Sequence, residues 1–262
     1  MVKHYLWVFI FLLVSVSGAY AFSISIDPPS LYLTGKPGTS VVAKVSVENT
    51  SSDDVSVKVY YEDWTYNPDQ TKLFLTPGKS RFSLKGSIKL YTENILLKGS
   101  ASQDVYFEIK SPLSTVGGLY GVVFFETDLP SAPGIISTSS VKLVGRLGAI
   151  VYYKAEGTEK SGLSVTSSVT MDDAKPVAKL TFKNTGNTHL GLTGSALLVD
   201  RSKSVVERIP IESLRLLPGS DLSLSLPLKS KLAPGTYTIL TTLRSTNSQE
   251  AVFSNQFPVV VK

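Results

Sequence analysis

The residue types that carry most enzyme chemistry are scarce in this chain. Its 262 residues include no cysteine and two histidines, His4 and His189. Without thiols there is no cysteine nucleophile, disulfide or thiolate-bound metal centre. One histidine beyond the leader makes no imidazole cluster, and His189, following Asn187-Thr188 at a turn, reads as a surface side chain. No serine, histidine and aspartate stand in a flanking motif, and no glycine-rich phosphate loop opens a helix. Asp53-Asp54 and Asp172-Asp173 are acidic pairs in turns, without the ligand spacing of a calcium loop. Carboxylates that pair only in space stay open. The expectation is a non-catalytic protein without cofactor or metal. Trp64, beside Asp63 and Tyr66 and before the turn Asn67-Pro68-Asp69, allows two readings. One is an aromatic contact loop formed with Tyr66; the other is a tryptophan packed over one end of a sheet, the commoner role of a large aromatic.

Lysine and arginine number 26 against 21 acids, a net charge of +5, scattered along the chain. That lacks the concentrated basic face of a nucleic-acid binder and matches an ordinary solvated surface. The first residues form an address: Lys3 as the positive end, an apolar run over 5–16, and Ala19-Tyr20-Ala21 as a small-x-small cleavage site. Cleavage is expected after Ala21, leaving no stable membrane span, because the apolar run is short for the roughly 20 residues a span needs. The expected location is periplasmic or secreted. An exported chain without cysteine must rely on its apolar cores, and 42% apolar residues are enough for them.

Those cores are predicted to lie between β-sheets. Val41, Ala43, Val45 and Val47 alternate with Val42, Lys44, Ser46 and Glu48, and a second period-two segment runs from Val55 to Glu62. Ser23-Ile24-Ser25-Ile26-Asp27 is a short edge strand stopped by Pro28-Pro29. Residues 62–84 show no clear period. Gly117-Gly118-Leu119-Tyr120 opens a run of bulky apolar residues to 126, the pattern of a strand buried on both faces. A long proline- and serine-containing loop follows over 127–138, then a two-sided strand over 139–153. No long helical periodicity occurs.

Three landmarks recur in order. Asn49-Thr50 recurs as Asn184-Thr185, 135 residues later; Leu96-Leu97-Lys98-Gly99-Ser100 as Leu216-Leu217-Pro218-Gly219-Ser220, 120 later; Gly118-x-Tyr120 as Gly235-x-Tyr237, 117 later. The first copy therefore carries an insertion between its first two landmarks. The tyrosines fit a tyrosine corner, whose phenol bonds back to the preceding connection. The expected architecture is all-β: a signal peptide over 1–21 and two tandem immunoglobulin-like sandwiches over 22–155 and 156–262, with the polar stretch 154–162 as linker.

Ser25-Ile26-Asp27-Pro28-Pro29, Val45-Ser46-Val47-Glu48-Asn49-Thr50, the 119–126 strand and the 147–153 strand after a long loop resemble the PapD-like periplasmic pilus-assembly chaperones. The resemblance implies a partner, a pilin-like subunit, adhesin or other envelope protein, bound by β-strand pairing. The last long strand of the first domain would offer alternating apolar residues, here Val141 and Leu143. It also implies a grip on the partner's terminal carboxylate by an arginine near the first strand and a lysine on that last strand. The arginine's place falls near Ser30, which has no charge, while Lys142 or Arg146 is the candidate for the second cation. The alternatives are a structural or adhesive envelope module, similar to the WxL-interacting proteins, and a carbohydrate-binding sandwich that stacks sugars on Trp64, Tyr66 and Tyr60.

Overall fold

The alternating valines fold as their period demands, one parity inward and the other to solvent. The computed structural model describes residues 23–67, 69, 71–128, 143–172, 175–228, 232–246 and 252–261. The leader with its cleavage site, most of the proline-rich loop, Val141 and Lys142 lie outside the described residues. In chain order the first half contains β1 (Ile24–Asp27), β2 (Ser30–Gly35), β3 (Ser40–Asn49), β4 (Val55–Tyr66), β5 (Lys72–Leu75), β6 (Ile88–Leu90), β7 (Asn94–Leu97), β8 (Ser102–Lys110), β9 (Gly118–Asp128) and β10 (Val144–Ala155). The second half contains β11 (Leu163–Asp172), β12 (Lys175–Asn184), β13 (Leu190–Val199), β14 (Val205–Leu216), β15 (Asp221–Pro227), β16 (Gly235–Ser245) and β17 (Val252–Val261). No helix occurs among the described residues, and none there is long and apolar enough to cross a membrane.

Two sheets face each other in the first half, ordered β1-β3-β8-β6 and β2-β10-β9-β4-β5, with β7 also on β4. Val45, Val47, Val105 and Phe107 of one sheet meet Val57, Val59, Val123, Phe125 and Val151 of the other in a single core. Burying each such side chain contributes about 1.5–3 kcal/mol. The N-terminal strand is divided between the sheets. β1 pairs with β3, the Asp27–Pro28 bond is cis, and β2 runs beside β10 in parallel. Strand pairing does not stop at the prolines, where the edge-strand pattern predicts an end: β2, with its short Leu31, Leu33 alternation, follows at once.

β9 is buried on both faces. Val123 and Phe125 enter the sandwich core, while Tyr120, Val122 and Phe124 join Trp64, Tyr152 and Leu217 in a second cluster outside it. The cover for that outer cluster comes largely from the stretch read as irregular. β4 continues to Tyr66 and pairs with β5, Asp63 opposite Leu75 and Tyr66 opposite Lys72. The period is illegible there because both faces are covered, so large residues occupy both parities. Asp63, fully buried, fixes the loop after β5: its carboxylate accepts from the backbone N–H of Gly78 (2.8 Å) and Ser80 (2.9 Å) and from Ser83 Oγ (2.6 Å).

The second half stacks β11-β12-β15 on β14-β13-β16-β17. Leu180, Phe182, Leu192, Leu198, Ile239 and Leu243 lie in its core. The recurring landmarks do the same job in both halves. Asn49, buried, donates through Nδ2 to the Leu97 (3.3 Å), Lys98 (3.1 Å) and Asp53 (2.7 Å) carbonyls. Asn184, equally buried, donates to the Leu216 (3.1 Å) and Thr188 (2.8 Å) carbonyls. In each half the asparagine thus ties a strand end to the turn that carries the second landmark. That turn is one residue out of the sequence match: Leu97 corresponds to Leu216, and the left-handed residue is Ser100 (φ 58) in one half and Gly219 (φ 76) in the other. The insertion in the first half is β5, β6 and the loop between them.

Candidate functional site

β10 is twelve residues long and lies against β9 along its whole length, from Val144 opposite Asp128 to Lys154 opposite Gly118. Its other side is only half covered, since β2 pairs with Ile150 to Ala155 and no further. Among the described residues, the backbone from Val144 to Ala149 is therefore an open edge. Ile150 donates its N–H toward β2, to the Pro29 carbonyl (3.0 Å). By the alternation of a strand, the N–H groups of Val144, Arg146 and Gly148 point to the same, uncovered side. Leu143 and Val144 at the start of this edge are 52% and 47% exposed, while Leu147 packs on the sandwich core. An unpaired row of N–H and C=O groups flanked by exposed apolar side chains is a template for another strand.

Arg146 lies on this edge strand but not as a free cation. Its guanidinium sits 4.3 Å from the Phe124 ring centre and 5.4 Å from that of Phe74. Nη1 is 3.4 Å from Glu62 Oε1 and 3.4 Å from the Tyr60 hydroxyl, which itself donates to Glu126 Oε2 (2.7 Å). Contact with the Tyr60 phenol, and then the nearby acids, raise the guanidinium's pKa further. The side chain lies along the outer face of the sheet, held by rings and carboxylates and still partly exposed. Ser30, where the resemblance expects an arginine, stands beside Ile150 in the register and offers no charge. Lys142 lies outside the described residues.

Trp64 is not in a contact loop. It is on β4 and fully buried, edge-on to Tyr66 (5.2 Å) and Tyr152 (5.6 Å). It has no face to offer a ligand, and Tyr66 and Tyr60 pack against the same outer cluster.

No family model matches the sequence, and no curated protein matches it. Solved structures do match its fold. A class 5 fimbriae chaperone, CfaA, superposes with a TM-score of 0.53 at 14% identity, covering 89% of this chain and 98% of that one. A chain from a chaperone–tip adhesin complex of CFA/I fimbriae biogenesis gives 0.54 at 13% identity, covering 89% and 97%. The fold is that of the PapD-like fimbrial chaperones.

The junction between the two sandwiches is the feature the sequence concealed. The turn over 184–189 docks on the start of β9. Gly118 N–H donates to the Asn187 carbonyl (2.9 Å), and His189 N–H to the Tyr120 hydroxyl (2.7 Å). Asn187 Nδ2 reaches the Thr158 carbonyl (2.9 Å), and Asn187 Oδ1 accepts from Lys160 N–H (2.6 Å). Gly117 has φ +80, and a Cβ there would lie 2.3 Å from the Asn187 carbonyl oxygen, so glycine is required twice over. His189 is not a surface side chain. Its ring packs on Tyr152 at 4.5 Å and on Tyr120 and Tyr32 at 5.8 Å each. Nothing in a lone histidine after a turn signals this; the tyrosines that receive it are distant in sequence.

Proposed function

We propose that this chain is an exported, non-catalytic chaperone-like protein that binds a pilin-like subunit, an adhesin or another envelope protein by adding a strand to β10. The observation carrying this reading is the open edge from Val144 to Ala149, left uncovered by β2 and preceded by exposed Leu143. Main-chain hydrogen bonds along the edge would supply affinity, and the apolar side chains at its start would supply selectivity. The sequence places Val141 and Lys142 on the approach to that edge, and the leader supplies the route of export. The PapD-like fold of the fimbrial chaperones supports the same class of partner, one with an incomplete sandwich. Because Ser30 holds no charge, the arginine half of the cation pair that the resemblance implies is missing, and strand pairing carries the affinity.

The test is recovery of a protein partner with the tagged full chain from its native envelope, followed by Val144→Pro and Leu143→Glu. Proline at 144 removes an N–H that faces the open side and leaves pairing with β9 intact. Both variants should keep the wild-type unfolding transition and lose at least ten-fold in partner affinity. Unchanged binding, or recovery of glycan and no protein, would sink the proposal.

A further inference from the structure

The junction holds an ionisable group that strand pairing does not use. His189 lies outside the strands, yet its imidazole is packed against a ring from each of three of them: Tyr32 of β2, Tyr120 of β9 and Tyr152 of β10. Tyr32 and Tyr152 are themselves stacked, 4.9 Å apart and 5° from parallel, so the histidine closes a ring stack that spans the two halves. Two cations among the described residues act on it. Lys154 approaches from β10 and Arg215 from β14, and the Arg215 charge also faces the phenols of Tyr32, Tyr66 and Tyr152. Glu159 of the linker, a carboxylate lining the cleft beside the ring, is paired with Lys154 at 3.2 Å. A cleft of about 290 Å³, with Lys154, Glu159, Ser161 and Thr188 in its walls, opens beside the imidazole and gives protons access.

A neutral imidazole suits this setting; an imidazolium would be desolvated against aromatic faces next to two like charges. The backbone of the same residue holds the docked turn, through His189 N–H to Tyr120, two residues from the Asn187 contacts. Moving the ring into water therefore pulls on the hydrogen bonds that join the halves. We propose that the junction between the sandwiches is an acid-sensitive joint, docked while His189 is neutral and released when His189 is protonated.

Burial first, then Arg215 and Lys154, lower the His189 pKa from 6.5 to about 4. The docked state binds the proton more weakly, so its stability is fully present above pH 6.5 and is lost as pH falls from 6.5 toward 4. Between pH 7.5 and 5 the released form should gain on the order of ten-fold over the docked one.

The absence of native cysteine permits a direct measurement. The full chain carrying Ser56→Cys on β4 and Ser202→Cys at the hairpin after β13 is labelled, and energy transfer between the halves is followed from pH 7.5 to 4.5. Transfer should change with a midpoint between 6.5 and 4, and His189→Gln should remove the change. Transfer that stays constant in the parent, or an equal profile in His189→Gln, would overturn the joint. Should that variant fail to fold, NMR titration of the His189 imidazole in the parent decides. An imidazole pKa below 6.5 whose titration moves the Gly118 and Asn187 amide signals with the same midpoint upholds the joint, and a pKa near 6.5 or amides that do not follow it overturns it. Neither readout depends on a partner, so failure here is separate from failure of strand pairing.

Discussion

The two Gly-x-Tyr strands, β9 and β16, are equal in length, occupy the same place in their sheets and use their tyrosines in opposite ways. Tyr237 makes a tyrosine corner: its hydroxyl donates to the Ala233 carbonyl (2.9 Å), four residues back within its own half. Tyr120 makes none. Its phenol is fully buried and accepts the backbone N–H of His189 from the other half, and burial drives its pKa strongly upward. The preceding glycines follow suit. A Cβ on Gly118 would fall 2.1 Å from the Tyr120 hydroxyl, whereas one on Gly235 would meet nothing closer than 3.9 Å. One recurring pattern closes a loop in the second half and joins the two halves in the first. A motif's position in a sheet is set by its strand pattern; its function is set by what lies beyond the sheet's end.

The glycines offer the largest contrast. Gly118→Ala should cost about 2–3 kcal/mol, since its methyl must displace a buried phenol that already has a partner. Gly235→Ala should lie within about 0.5 kcal/mol of the parent, open space meeting the gain of alanine over glycine in a strand. Urea unfolding of both variants measures the pair, and equal losses would erase the distinction between the copies. The asparagines should behave in the opposite, symmetric way. Asn49→Ala and Asn184→Ala each strand backbone carbonyls and remove a buried amide, at about 2 kcal/mol apiece. A difference above about 1 kcal/mol between them would mean that the landmarks are not equivalent.

The fold was legible wherever one face of a strand is wet. Val41 to Glu48 and Asp221 to Leu228 alternate because solvent takes one parity, and the doubly buried run after Gly118 is recognisable by its length. Legibility failed where a sheet is covered twice. Tyr60, Tyr61, Trp64 and Tyr66 place large residues on both parities of β4, so a continuing strand looked like a loop. The open edge of β10 was only half visible. Its two-sided apolar character is in the sequence, but the place where β2 stops is a matter of register, which local pattern does not encode. The same holds for Arg146, whose neighbours Tyr60, Glu62 and Phe74 come from β4 and β5. His189 was misjudged for the same reason: its burial is created by the other half of the molecule.

Removing the hydroxyls alone sharpens the comparison most finely. Tyr237→Phe frees a carbonyl that is near solvent, and water takes the vacated bond, so the loss should be about 0.5 kcal/mol and confined to the second half. Tyr120→Phe leaves the His189 N–H without its acceptor in a part-buried junction that solvent reaches poorly, a loss of about 1–2 kcal/mol. The location of the effect separates the two roles better than its size. In Tyr120→Phe, hydrogen exchange should accelerate at His189 and Gly118, whose amides bridge the halves, while amides at the centre of either sandwich core keep parent rates. Acceleration throughout the first core would make Tyr120 an ordinary core residue, and the junction would then rest on the Asn187 hydrogen bonds and on ring packing.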